Sequence, residues 1–204
     1  MQLLAGDDLV TLATGWIAER AREAGAAFRV ALAGGSTPRA VYEGLATLAL
    51  DWAAWHVWWG DERLVQPDHP DSNERMARDA LLSRVPIPEP QIHPLRSSQI
   101  ELPDRFDLVL LGIGRDGHTA SLYPGDPALD ATEPVVRVVR PDHARLSLTY
   151  PVLNAARAAA FMVVGVTKRQ MVARVLAGDW ALPAARVNAE TTVILADRAA
   201  APPT

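Results

Sequence analysis

The chain has no cysteine in its 204 residues. Disulfides, thiolate nucleophiles and Cys-ligated zinc are therefore excluded. It also lacks any apolar run near the roughly 18 residues that a membrane span needs. Basic clusters are missing too: 20 Lys and Arg face 24 Asp and Glu, for a net charge of −4. Nucleic acid is not an expected partner of such a chain, and neither is a membrane. The opening MQLLAGDDLVTLA has no basic lead and carries Asp7 and Asp8, so a signal peptide is not expected. A cytoplasmic location is the expectation, and the closing RAAAPPT reads as a frayed tail. No internal repeat or low-complexity linker interrupts the sequence. What is abundant is apolar residue, 49% of the chain, enough for one domain over residues 1–204.

Short apolar runs alternate with helical patterns. Leu9 to Ala24 has apolar residues at helical spacing and stops at Gly25. Phe28 to Ala33 reads as a buried strand, and Pro38 suits the first turn of a helix running through Leu50. His56 to Trp59 is a second strand. DHPDSNERMARDALLSRVP opens as a loop and becomes a helix of about ten residues before Pro86. Asp107–Gly112, Val135–Val139, Leu146–Thr149, Phe161–Gly165 and Val193–Ala196 read as strands. Pro151–Ala160 and Lys168–Ala177 read as helices. This alternation implies an α/β fold, with a mainly parallel sheet covered by helices on both faces.

Ligands of such sheets bind at the carboxyl ends of the strands. Four polar clusters fall there: Gly34-Gly35-Ser36-Thr37, Gly60-Asp61-Glu62-Arg63, the turn Gly112 to His118, and Thr167-Lys168. The glycine turn matches G-x-G-x-x-G at Gly112, Gly114 and Gly117. A dinucleotide fingerprint needs a helix to follow, whereas Pro124, Gly125 and Pro127 come next. The turn instead presents Asp116 and His118, and histidine titrates near neutrality. It is the candidate proton-transfer site. Glycines and hydroxyls in GGST suit an anion, or alternatively a tight turn with a Ser/Thr helix cap. Arg63, Arg145 and Lys168 are the candidate cations, and Asp61 or Asp116 is the candidate partner of the imidazole or of a substrate hydroxyl. Glycine-turn amides are candidate donors to a developing oxyanion. Asp68-x-Pro-Asp71 with His69 has a single histidine, poor metal spacing, and is assigned to loop and helix capping, so no metal is expected. The four tryptophans within 52–59 suit core and crevice wall.

The strings LAGGSTP (32–38), WGDERLVQPDHPDSNERMARDALL (59–82), LLGIGRDGHTASLYPG (110–125), RLSLTYPVLN (145–154) and GVTKRQM (165–171) resemble the 6-phosphogluconolactonases. Glucosamine-6-phosphate deaminases share that fold and a related turn. They continue it with a pattern of the I-A-F-N-E-P type, whereas here Thr119-Ala120-Ser121-Leu122-Tyr123-Pro124 follows. The resemblance implies a three-layer α/β/α sandwich with a Rossmann-like sheet. It implies hydrolysis of 6-phospho-D-glucono-1,5-lactone without a cofactor. His118 then matches the general base and Asp116 its neighbour. Arg63, Arg145 and Lys168 match cations around the phosphorylated ligand, with Gly34, Gly35, Ser36 and Thr37 as the ligand-binding loop. Relative to that family the N-terminal segment is brief and the crossover near 96–106 is shortened, a loss able to expose a sheet edge. The alternatives are a glucosamine-6-phosphate deaminase/isomerase and a non-catalytic sugar-phosphate sensor. The sensor would accompany a DNA-binding module, for which no room precedes residue 28.

Overall fold

A computed structural model describes residues 1–203. Six strands form one all-parallel sheet: β1 (Gln2–Gly6), β2 (Phe28–Leu32), β3 (Trp55–Trp59), β5 (Leu108–Leu111), β8 (Ala158–Val163) and β9 (Thr191–Asp197). Their spatial order is β1-β9-β8-β5-β2-β3. The chain builds outward from β2 to β3, then returns to β5 on the other side of β2. The switch point therefore lies between β2 and β5, where a crevice opens above the strand ends. A second, antiparallel sheet holds β4 (Asp61–Arg63), β7 (Ala144–Leu148) and β6 (Val135–Val139) in that order. Gly60 joins the two. Its amide donates to the Leu32 carbonyl at 2.8 Å, and its own carbonyl accepts from Leu148 N at 2.8 Å.

Helix α1 (Leu9–Ala24) starts where Asp8 caps it, accepting from Thr11 N at 2.8 Å, and stops at Gly25, whose φ is +70°. It buries Leu9, Ala13, Ile17 and Ala18, a spacing of one helical face. Helix α2 (Ser36–Leu45) packs against α1 so closely that a Cβ on Gly44 would lie 2.6 Å from Val10. α1 and α2 both contact β8. α3 (Asn73–Ala77) continues as one wide turn through Leu82, giving the ten-residue helix expected before Pro86. α4 (Tyr150–Ala155) and α5 (Arg169–Leu176) complete the helices.

Several expectations are corrected. The helix read over Pro151–Ala160 ends at Ala155, and Ala158–Ala160 belong to β8. Alanine favours helix in isolation, but here burial between β5 and β9 decides. α2 ends at Leu45 rather than Leu50. β1 was not foreseen, and β4 is a paired strand where only a charged loop end was read. Val135–Val139 and the strand after it lie outside the parallel sheet. The tryptophans of 52–59 are core and are not among the residues lining the cleft at the strand ends. Ala200 in the expected frayed tail is buried. No helix occurs between Ile92 and Asp107. The β3 edge is nonetheless covered, because His93 N donates to Val57 O at 2.8 Å and Gln91 Nε2 to Trp55 O at 2.8 Å.

Tyr42 anchors the end of β2. Its hydroxyl donates to Ala33 O at 2.9 Å and accepts from Ala33 N at 2.8 Å, fully buried. Tyr42→Phe should strand both backbone groups and cost about 1–3 kcal/mol in a urea unfolding titration. A loss within error of zero would show that the loop after β2 is held by other contacts.

Candidate active site

A cleft of about 310 Å³ opens at the carboxyl ends of β2, β3, β5 and β8. Every strand-end cluster singled out in the sequence lines it. Gly34, Gly35, Ser36 and Thr37 form one wall, Asp61, Arg63 and Arg145 a second, and Gly114, His118 and Lys168 a third.

The glycine turn is closed on itself. Gly114 N donates to His118 O at 2.8 Å, and Gly117 N to Gly114 O at 3.2 Å, with Gly117 at φ +84°. His118 N donates to the Asp116 carboxylate at 3.2 Å. These three amides are therefore spent within the turn, which corrects their expected role as oxyanion donors. What the turn provides is room: a Cβ on Gly114 would sit 2.1 Å from His118 Nδ1 and 2.7 Å from Asp116 Oδ1.

That room is filled by a pair. His118 Nδ1 lies 2.5 Å from Asp116 Oδ1. An ionised carboxylate only accepts, so the Nδ1 proton is fixed toward Asp116 and the Nε2 lone pair is left free. Partial burial pushes the Asp116 carboxyl up, but the amide and ring of His118 outweigh it and hold the group below the ordinary carboxylate range. Asp61 is not the imidazole's partner. Its carboxylate accepts from Ser121 Oγ at 2.6 Å, and its carbonyl accepts from Asn73 Nδ2 at 2.8 Å. Tyr123 packs on the His118 ring, centroids 4.4 Å apart, and Arg140 lies 4.0 Å above Tyr123 on the cation–π side. Between them Ala120 holds φ +46°, a left-handed conformation that is costly outside glycine.

The cations lie on other elements. Arg63 and Arg145 are directly opposed in the β4–β7 register. Like charges facing across strands are destabilising, so the pair calls for an anion. Arg145 has part of one: it is bidentate to Asp142, at 2.9 and 2.6 Å. Arg63 donates through Nη1 to Asp71 O at 2.6 Å, while its buried Nε has no partner. Lys168 Nζ donates to Ile113 O at 2.6 Å. Burial, and then Arg115, hold Lys168 below the usual lysine range, with Asp116 partly opposing.

At the first wall, Gly35 is the N-cap of α2 at φ +105°, and no side chain caps that helix. The reading of Ser36 and Thr37 as caps is thus set aside. Their hydroxyls have no protein partner among the described residues, and the first-turn amides lie at the positive end of a helix. Gly34 is required by a close approach, since a Cβ there would fall 1.9 Å from Asn73 Oδ1. Asn73, Ser121, Tyr123 and Asp142 escaped the sequence reading. Each acts through a contact 3 to 60 residues away that no local pattern marks. Helix α3 is capped by Ser72, which accepts from Arg75 N at 3.1 Å, and not by Asp68 or Asp71 as expected.

Fold and site together define an α/β protein with a histidine–carboxylate pair and two opposed guanidiniums in one strand-end cleft. The profile described as glucosamine-6-phosphate isomerases/6-phosphogluconolactonase matches residues 5–195. A 6-phosphogluconolactonase of Synechocystis sp. is 42% identical over 173 residues, covering 74% of this chain and 72% of that protein. One from Nostoc sp. is 43% identical over 173 residues, with the same coverage of 74% and 72%. The crystal structure of the Thermotoga maritima 6-phosphogluconolactonase superposes with a TM-score of 0.86 at 30% identity, covering 97% of this chain and 99% of that one. The chain belongs to the glucosamine-6-phosphate isomerase/6-phosphogluconolactonase family.

The tautomer is directly measurable. Nitrogen-15 NMR of His118 should show the proton on Nδ1 in the neutral ring, and Asp116→Ala should release it to a mixture of tautomers. An unchanged spectrum in the variant would remove Asp116 as the orienting group.

Proposed function

We propose that this protein hydrolyses 6-phospho-D-glucono-1,5-lactone to 6-phospho-D-gluconate, the lactonase step of the pentose phosphate pathway. The observation that carries this reading is one cleft holding the His118–Asp116 pair together with the Arg63–Arg145 pair. The relatives of 42% and 43% identity named 6-phosphogluconolactonase support it.

His118 Nε2 takes a proton from water as its oxygen attacks the lactone carbonyl. The tetrahedral intermediate then breaks its bond to the ring oxygen, which receives the proton back from the imidazolium. Asp116 stabilises that imidazolium and keeps its plane fixed. Only water and protons are exchanged, so the chemistry calls for no cofactor. A positioned acid–base group supplies about 10²–10⁴-fold. The phosphate is assigned to Arg63, Arg145, Lys168 and the loop Gly34–Thr37, a local positive field in a chain of net charge −4. Gly114 and Gly117 act by shape, and Asp61 is left to receive a sugar hydroxyl. Among the described residues no helix is long and apolar enough to cross a membrane. A cytoplasmic location is part of the same proposal.

The test is hydrolysis of freshly made lactone with the spontaneous rate subtracted. His118→Ala should lower kcat by about 10²–10⁴-fold with KM little changed. If the variant keeps the full rate, His118 is not the base. Ammonia release from glucosamine 6-phosphate, with no lactone hydrolysis, would replace the activity itself with that of a deaminase.

Lys168 gives a pH signature. Its depressed pKa means that the charged form is present below that pKa and lost as pH rises through it. Affinity for 6-phosphogluconate should therefore fall on the alkaline side sooner than an ordinary lysine would allow. Lys168→Arg should move that loss to higher pH, and Lys168→Ala should abolish it while raising KM. A flat alkaline limb in the wild type would take Lys168 out of the phosphate site.

A further inference from the structure

Outside the cleft, a second cluster joins two segments far apart in sequence. His69 and Asp71 lie in the loop after β4, and His143 lies in the turn between β6 and β7. Each offers one ligand atom, and the three atoms fall within 4.8 Å of one another. His143 Nε2 is 2.8 Å from Asp71 Oδ2, and His69 Nδ1 is 3.9 Å from the same oxygen. The two imidazoles stand nearly perpendicular at 78°, with centroids 5.5 Å apart. Taken along the chain, His69 looked unaccompanied. The fold supplies the second imidazole.

From this juxtaposition we propose that His69, Asp71 and His143 form a site for a divalent transition metal of the zinc type, which clamps the loop after β4 to the β6–β7 turn. Two neutral imidazoles and a carboxylate are a common zinc donor set, with water in the fourth position. A tetrahedral ion with bonds of about 2.0–2.1 Å sets its ligands roughly 3.3 Å apart. The present spacings to Asp71 of 2.8 and 3.9 Å straddle that value, and with all three atoms within 4.8 Å the two imidazoles would have to turn toward a common centre. The ion takes the place of the His143–Asp71 hydrogen bond and of the one from Asp71 N to His69 Nδ1, now 3.1 Å. All three side chains are partly exposed, which gives the metal an entry path. Magnesium is excluded as the occupant, because it prefers oxygen ligands and near-octahedral geometry. The Arg63 guanidinium is close enough to act on Asp71 and opposes the ion. Affinity is therefore weaker than that of a closed four-ligand structural site.

The position gives the clamp a consequence. The carbonyl of Asp71 accepts from Arg63 Nη1 at 2.6 Å, and the carbonyl of His143 accepts from Arg145 Nη1 at 2.9 Å. The metal thus fixes the two peptide groups that hold the two opposed arginines of the cleft. None of its three ligands lines that cleft.

The experiment is calorimetry of Zn²⁺ into the full chain after chelator treatment, with Co²⁺ absorption as a second readout. The wild type should bind one Zn²⁺, give the visible bands of a tetrahedral Co²⁺ site, and unfold at a temperature that rises with Zn²⁺ concentration. His143→Gln and Asp71→Asn should each weaken binding by more than the roughly 10–100-fold that loss of an outer partner costs. His118→Gln should leave it unchanged. No binding in the wild type would overturn the proposal. So would binding that survives both ligand variants, or binding lost only in His118→Gln, which would put the ion on the His118–Asp116 pair instead.

Discussion

The geometry of the cleft hangs on one buried carboxylate. Glu62 is the middle residue of β4 and is 5% exposed. Its oxygens accept from Asn73 N at 2.8 Å, Glu74 N at 2.6 Å, Arg63 N at 2.7 Å and Ser72 Oγ at 3.2 Å. Burial holds its pKa above the ordinary carboxylate range, and the three backbone amides offset only part of that rise. Four donors are what make a buried carboxylate tolerable. The carboxylate also meets the first turn of α3, whose free amides and positive end favour it. β4 is thereby bolted to α3, and strand alternation places Asp61 and Arg63 together on the cleft side.

Other contacts follow from that bolt. With α3 fixed, Asn73 reaches the Asp61 carbonyl and presses against Gly34, so the loop before α2 is positioned from below. Glu74, also buried, holds Arg96 at 2.7 Å and Arg78 at 2.9 Å, which ties the start of the 96–106 segment to the same helix. Tyr42 holds the other side of the loop through Ala33. The cleft-lining glycines are thus fixed by Tyr42 from outside the cleft and by Asn73, which lines it beside Gly34.

Charge is arranged to be incomplete. Arg63 and Arg145 face each other, and each is only partly satisfied by protein groups. Lys168 is held where burial disfavours its charge. On the proposed phosphate assignment a dianionic substrate relieves all three at once, and the low exposure of Arg145 strengthens the attraction. The His118–Asp116 pair sits across the same cleft in a turn built from short-range bonds, so the proposed binding and proton-transfer groups rest on separate elements.

Much of this was legible in the sequence. The alternation of strands and helices gave a parallel sheet, and the strand-end rule put GGST, GDER, the glycine turn and Lys168 in one crevice before any coordinate was known. The His118–Asp116 pair was half legible. Only Gly117 separates its members, so the sequence brought them close, but only the 2.5 Å contact chose Asp116 over Asp61. The misreadings share a cause. Ala158–Ala160 look helical in isolation and become strand under burial, and β1 and β4 are strands through the neighbours they pair with, β9 and β7.

The sequence by itself determined what is encoded within a few residues: helix starts, glycine turns, apolar periods and the chemistry at each strand end. Backbone sterics and hydrogen bonds to near neighbours are enough for those. Tertiary structure alone decided what depends on register and layer packing. It set Arg63 against Arg145, laid Asn73 under Gly34, and brought His143 to Asp71 from 72 residues away. Strand register is fixed by which faces are buried together, and that information is spread over the whole chain.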